Sequence, residues 1–327
     1  MIQEIMPGLY QIQVPFSSSP LRNINIYIVK NGTRALMVDT GINLDECRDN
    51  VLAGLKSLGV DLSQTDFFIT HMHPDHTGLL PKLVTQNSVV YFSRADFDLL
   101  NRNLDVAQSW ERRVSAGARN GFPGDELRTV NNHPIFGLWE RTNHSFQFLK
   151  QGDVIDFGDY HFLAIETPGH TKGHMCLYEP ERKLFLSGDH ILADISPNVS
   201  SWSAEDNPLA DYLASLDKVS RLDVSLVLPG HRNVFTNMRE RIGELKRHHE
   251  VRAGEAFSIL GRGRQTAYQV ASQMTWDLRY DTWEAVPVWQ KMFATGETIA
   301  HLKYLESEGK VKQEIGEREI TYSVKEL

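Results

Sequence analysis

Residues 70–84 read THMHPDHTGLLPKLV and run on from the apolar FFIT of 67–70. A short run of bulky apolar residues reads as a buried strand, and Pro74 punctuates its end. His71, His73, Asp75 and His76 therefore gather at the mouth of a strand. There the apolar residues fix the backbone while the loop lets several side chains converge. Imidazole and carboxylate are the donors that a borderline divalent metal prefers. A solvated polar loop is the plain alternative, and four such donors in six positions argue against it.

Upstream, LYQIQV, NINIYIV and ALMVD (between 9 and 39) are separated by turn signals, which predicts consecutive strands in hairpins with a long polar loop at PFSSSPLRN (15–23). The spacing of Val51, Leu52, Leu55 and Leu58 predicts a helix ending at Gly59. Downstream, SVVYF (88–92) reads as a strand. Residues 94–150 then break the alternation, and Phe97, Leu100, Leu104 and Ala107 share one helical face, so the segment reads as an inserted helical lobe. Strands resume at DVIDFGDYHFLAIET, HMCLYEP and KLFLSGD. PLADYLASLDKVSRL predicts an amphipathic helix, and VSLVLPGH a last buried strand. Three of these strands end on further candidate ligands beside a glycine: His170 in TPGHTKGH, Asp189 in LFLSGDH and His231 in LVLPGHRN. That repeated placement brings all of them to one sheet edge.

The motifs HMHPDH, TPGHTKGH, SGDH and PGH, in this order, resemble the metal motifs of the metallo-β-lactamase superfamily. The resemblance covers roughly residues 8–235. It implies an α/β fold, an αββα sandwich of two facing sheets with helices outside, and a dinuclear site at one edge of the sheets. Carried over residue by residue, it implies that His71, His73 and His170 hold one metal, that Asp75, His76 and His231 hold the other, and that Asp189 bridges them. It gives Asp75 and Asp39 (in MVDTG) catalytic roles. Asp39 would orient the ligands from behind, its plain alternative being a turn or helix-capping aspartate. The cofactors implied are two divalent ions, zinc first, with iron or manganese accepted by the same donors.

Departures within the pattern narrow the class. Asp189 stands where antibiotic-hydrolysing members carry cysteine, which points to the glyoxalase II-like side of the family. His73 stands where the di-iron flavoproteins carry glutamate. The reaction expected is hydrolysis of an ester, thioester or lactone in a small, anionic metabolite, because two cations together acidify a shared water and polarise a carbonyl. The alternative is a metal-dependent endoribonuclease acting on single-stranded RNA; a non-catalytic regulatory module and an iron-dependent sulfur dioxygenase rank behind it.

Beyond residue 238 the pattern changes. ELKRHHEVRAGEAFSILG, TAYQVASQM and ATGETIAHLKYLESEGK read as helices, and VKQEI and ITYSV as a hairpin. That order resembles a winged helix appended to some superfamily members. The expected domains are thus 1–237, with the insertion at about 94–150, and 238–327. Packing or homodimerisation is the plain role of the second. Nucleic acid is the less favoured partner, because its Lys and Arg nearly balance Asp and Glu and the whole chain carries a net charge of -8.

In the inserted lobe, Arg102, Arg112, Arg113 and Arg119 are candidates for gripping a substrate anion, and Trp110 and Phe97 for lining a pocket; solvated arginines and core aromatics are the default. His174 and His190 read as supporting or surface residues, and His248 and His249, in a charged helix, as solvated. Cys47 and Cys176 are too few for a disulfide framework, and with no apolar run of about 18 residues or basic leader the chain reads as cytoplasmic, with no membrane partner.

Overall fold

The structure, a computed structural model, describes residues 1–16, 21–129, 140, 144–203, 205–277 and 279–325. The polar loop read at 15–23 and the inserted segment at 94–150 thus lie partly outside the described residues. The contacts divide the chain into two compact units. The first comprises Met1–Leu104, Pro134–Pro197 and Ser215–Ile242; the second comprises Asp105–His133, Asn198–Ala214 and Gly243–Leu327.

The first unit is built on two sheets. One has seven strands in sequence order: β1 (Ile2–Met6), β2 (Leu9–Phe16), β3 (Arg22–Asn31), β4 (Arg34–Val38), β5 (Thr65–Phe68), β6 (Val90–Ser93) and β7 (Phe146–Leu149). The other comprises β8 (Val154–Phe157), β9 (Tyr160–Glu166), β10 (Met175–Glu179), β11 (Leu184–Gly188) and β12 (Leu226–Pro229), ordered β12-β11-β10-β9-β8. Strands β1 and β7 extend the first sheet beyond the strands legible in the sequence.

Period-two patterning makes the layers. On β3, β4 and β5, Ile24, Ile26, Ile28, Ala35, Met37 and Phe67 point outward onto Val51 and Leu55 of helix α1 (Asp45–Ser57) and onto Leu80 and Leu83 of α3 (Leu80–Leu83), which follows α2 (Pro74–Thr77). The alternate residues Tyr27, Val29, Leu36, Val38 and Phe68 point inward onto Phe162, Ala164, Met175, Leu177, Leu186 and Leu228 of the other sheet. Both faces of β5 are therefore covered, which is why TDFF needs no polar face. Leu52 departs from the apolar stripe of α1: it is exposed, because Val51 and Leu55 already fill the face toward the sheet.

The site edge follows from strand direction. β4, β5, β6 and β7 pair in parallel, as do β11 and β12. Parallel neighbours bring their C-terminal ends to one edge, where α/β sheets place ligands. Asp39 leaves β4 there, His71–His76 leave β5, Asp189 leaves β11 and His231 leaves β12.

The expected single helical stripe through Phe97, Leu100, Leu104 and Ala107 is corrected by the structure. Helix α4 (Arg94–Asn103) ends, and α5 (Val106–Arg119) starts afresh with Asp105 as its cap, whose carboxylate accepts the Gln108 N–H at 3.1 Å. Phe97 and Leu100 pack on the first core, whereas α5 and α6 (Gly124–Arg128) fall in the second unit.

The second unit also holds most of α7 (Pro208–Val219) and α8 (Met238–Leu260), then α9 (Ala267–Ala271), α10 (Val288–Ser307) and a small antiparallel sheet of β13 (Gln265–Thr266), β14 (Val311–Ile315) and β15 (Ile320–Val324). Its core is Ala256, Ile259, Leu260, Val270, Leu302, Leu305, Val311 and Tyr322. Thr266 and Gln269 form a reciprocal capping box that starts α9. No helix among the described residues is long and apolar enough to cross a membrane.

Candidate metal centre

All seven expected ligands converge. Their donor atoms fall into three mutually close groups: His71, His73 and His170; His71, His76 and Asp189; and Asp75, His76 and His231. His71 Nε2 and His170 Nε2 stand 3.0 and 2.9 Å from His73 Nδ1. His76 Nε2 stands 3.3 Å from His231 Nε2. Asp189 faces both sides: Oδ2 is 3.7 Å from His170 Nε2 and 3.4 Å from His231 Nε2, and Oδ1 is 3.6 Å from His76 Nε2. Asp75 Oδ2 is 3.3 Å from His231 Nε2 and 3.8 Å from His76 Nε2.

The placement of protons decides whether these groups suit a cation. Thr70 Oγ1 gives its one proton to Asp39, so it accepts from His71 Nδ1 at 3.0 Å, and His71 Nε2 is left as a lone pair. His76 Nδ1 lies 2.7 Å from Asp39 Oδ2, and His231 Nδ1 lies 2.7 Å from the Asn23 carbonyl, neither of which can donate. Both rings are therefore protonated on Nδ1, which leaves each Nε2, facing the other and the carboxylates of Asp75 and Asp189, as the position that takes a metal ion or, in the metal-free protein, a proton. Asp189 Oδ1 is buried with no hydrogen-bond partner. Lone pairs aimed at lone pairs inside a protein call for a positive charge between them. Nitrogens about 2.0–2.1 Å from a tetrahedral zinc would stand roughly 3.3 Å apart, close to the spacings found here. The donor set fits divalent metal ions.

Titration reports the same field. Burial pushes His71 well below the ordinary imidazole value and His73 down to about 3. Burial opposes the charged form of His76 and His231 as well, yet the Asp39, Asp189 and Asp75 carboxylates hold His76 well above 6.5, and Asp189 and Asp75 hold His231 up at about 10. The carboxylate half of the site draws positive charge.

Glycines and buried histidines set the loops. A Cβ at Gly230 would lie 2.6 Å from Asp189 Oδ1, and Gly188, at φ 48°, would bring one within 2.8 Å of His174 Nε2. His174 is buried; its Nε2 accepts the Asp189 N–H at 3.1 Å and its Nδ1 lies 2.8 Å from the Thr167 hydroxyl, so it fixes the backbone at Asp189. His190 is buried too, its ring 6.1 Å from that of His174. Asp39 adopts φ 60°, a left-handed conformation that Asp tolerates, and receives the Thr70 N–H at 2.8 Å.

The other sequence candidates divide. Phe97 packs at a tilt on Phe146 and edge-on to Phe148, with ring centroids 4.9 and 5.1 Å away, in the first core, its default reading. Arg102 is exposed, and Trp110 and Arg113 are half-buried. Arg112 and Arg119 line a cavity of about 640 Å³ in the second unit with Trp202, Lys303 and Tyr322. His249 is a correction: it is buried, not solvated, because Tyr212 and His301 pack on its ring at centroid distances of 5.3 Å each.

Residues 19–231 match the model of the Metallo-beta-lactamase superfamily. The chain belongs to the metallo-β-lactamase superfamily. Residues 284–323 match the Metallo-beta-lactamase-like C-terminal domain. The chain is 28% identical to the acyl-coenzyme A thioesterase MBLAC2 of Gallus gallus, over 82% of this chain and 92% of that protein. It is 26% identical to the probable metallo-hydrolase YqjP of Bacillus subtilis over 91% of each. A beta-lactamase domain protein from Burkholderia ambifaria superposes with a TM-score of 0.85 at 25% identity, over 99% of this chain and 94% of that one. Membership, together with relatives named as a thioesterase and a metallo-hydrolase, makes the protein a hydrolase, and the superfamily fold implies that it binds divalent metal.

Proposed function

We propose that this protein hydrolyses acyl thioesters, an acyl-coenzyme A in the first instance, with two divalent ions. His71, His73 and His170 would hold one, Asp75, His76 and His231 would hold the other, and Asp189, which faces both groups, would serve both. The orphaned Asp189 Oδ1, buried and facing the second group while Oδ2 faces both, carries the dinuclear reading. Similarity to a named acyl-coenzyme A thioesterase along most of both chains supports the thioester over the ester or lactone. When bound, the ions supply an acidified water and an electrophile for the carbonyl.

The chain's own residues do the rest. Asp39, through Thr70 and His76, fixes which imidazole nitrogens are free to bind. Asp75 has the most exposed side chain of the Asp75, His76 and His231 group, at 15% against 0% for both histidines, and orients the attacking water. Burial of His71, His76 and His231 keeps bulk water from competing for their nitrogens. We infer zinc as the resident metal, a cytoplasmic setting, and a winged helix over 238–327 that packs or pairs two chains.

The zinc-loaded protein is assayed against acyl-coenzyme A thioesters of several chain lengths, esters, lactones and short RNA. Turnover of thioesters, lost with a chelator and in His73→Ala and Asp189→Ala, is the expected result. Full thioester turnover in both variants would sink the proposal; a salt-dependent RNA product ladder in its place would move the assignment to the endoribonuclease.

A further inference from the structure

Asp96 belongs to none of the metal-binding groups, yet it ties together the loops that carry one of them. It is the third residue of α4, and its side chain is wholly buried. Oδ2 accepts the Met72 N–H at 2.9 Å and the Thr171 hydroxyl at 2.7 Å; Oδ1 accepts the Gly173 N–H at 2.7 Å. Met72 stands between His71 and His73, and Thr171 follows His170 directly. One carboxylate therefore grips both loops from which His71, His73 and His170 project.

The grip is tight and specific. A Cβ at Gly173 would lie 2.2 Å from Ser93 Oγ, 2.5 Å from Asp96 N and 2.8 Å from Asp96 Oδ1, so only glycine allows the loop this close. Ser93 caps α4 by accepting the Asp96 N–H at 3.1 Å, which fixes the carboxylate at the helix N-terminus, where the helix dipole favours an anion. Burial pushes the Asp96 carboxyl up to about 6, opposed by the three donors. Burying a carboxylate is costly unless it is fully hydrogen-bonded. Asp96 meets that cost where two ligand loops must hold a fixed spacing.

We propose that Asp96 is a positioning residue that presets His71, His73 and His170 for their ion, so that metal retention at that position depends on it. The proposal rests on the metal-centre reading above. Its consequence is that Thr171 and Gly173, inside the TPGHTKGH motif, serve the metal through Asp96 and touch no ion themselves.

The test uses the full chain loaded with zinc. Zinc content after dialysis and affinity in competition with a chromophoric chelator are measured for wild type, Asp96→Asn, Thr171→Val and Asp66→Asn. Asp66 is the control for a buried carboxylate with a structural role: it is 4% exposed, accepts the Val89 N–H at 2.9 Å and pairs with Arg34. Asparagine at 96 keeps one acceptor and turns an N–H toward a donor. We expect Asp96→Asn to weaken the hold on one of the two ions by about 10–100-fold. Thr171→Val should weaken the same ion by less, and it carries the test if Asp96→Asn fails to fold. Asp66→Asn should lower Tm and keep both ions. The proposal falls if the Asp96 and Thr171 variants hold both ions as wild type does, or if Asp66→Asn loses zinc in step with its Tm. A wild-type chain that binds no zinc would overturn the metal-centre reading itself.

Discussion

Among the described residues, histidines are buried in two places, and the two clusters differ in where their ring nitrogens point. At the metal centre, His71, His76 and His231 spend their Nδ1 protons on partners outside the cluster: Thr70, Asp39 and the Asn23 carbonyl. Their Nε2 lone pairs then converge with two carboxylates. In the second unit, His301 Nδ1 donates to the Glu297 carbonyl at 2.8 Å, and His301 Nε2 accepts from His249 Nδ1 at 3.2 Å. One lone pair meets one proton there, and His249 Nε2 is left buried without a partner. Burying imidazoles together does not make a metal site. Pinning their tautomers so that lone pairs meet does, provided carboxylates supply the charge.

The largest effect should come from removing a converging lone pair. His76→Ala takes away a nitrogen that faces His231, Asp75 and Asp189, and metal assistance supplies several kcal/mol of transition-state stabilisation. Turnover of the preferred thioester should fall on the order of 10³-fold, with less zinc per chain by elemental analysis. Normal turnover with a full zinc complement would mean that convergence does not define the site.

A smaller effect should follow from releasing the pins while the ligands stay. Asp39→Asn places an amide where His76 Nδ1 and the Thr70 hydroxyl now find a carboxylate. The His76 ring is then free to turn, and metal affinity should drop about 10–100-fold with the fold intact. Chelator competition beside circular dichroism separates this from unfolding. Wild-type affinity in Asp39→Asn would show that the ligands orient themselves.

The convergence of the seven side chains is legible in the sequence because each one closely follows the end of a strand, with a Gly or Pro nearby to turn the loop. Local pattern and strand direction suffice there. Asp96 is not legible, since its partners lie 24, 75 and 77 positions away and nothing near it in the chain marks a carboxylate that two distant loops will grip. The burial of His249 is equally hidden: KRHHEVR reads as a wet helix face, and what covers it comes from Tyr212 and from α10. The break between α4 and α5 carries a local signal in Asp105, but apolar spacing that keeps phase across the break masks it. Packing between segments remote in sequence is the common factor in what the pattern leaves out.

The smallest effect concerns the second cluster and carries a definite sign. Burial and the facing His301, His248 and Arg252 push His249 down to about 2, and burial pushes His301 down to about 4. In the unfolded chain both return to about 6.5. Above that pH both states hold these rings neutral, and no stability is at stake. Below it the unfolded chain takes up protons that the folded chain refuses, so stability falls as pH falls from about 6.5 toward the folded values, by up to ~1.4 kcal/mol per pH unit for each proton. The buried histidines of the metal centre with depressed values add to the same fall. His76 and His231, raised in the metal-free chain, act with the opposite sign: their contribution is complete below about 6.5 and is lost as pH rises, for His231 through about 10. The difference between wild type and His249→Leu, followed by urea unfolding of the metal-free protein from pH 7 to 4, therefore isolates the second cluster. The variant should lose about 1–3 kcal/mol at pH 7, because His301 Nε2 loses its donor. It should also fall less steeply below 6.5 and, once reloaded with zinc, keep its metal and its turnover. A pH slope unchanged by the substitution, or a loss of zinc, would erase the distinction between a histidine pair that serves packing and a set of lone pairs that serves a metal.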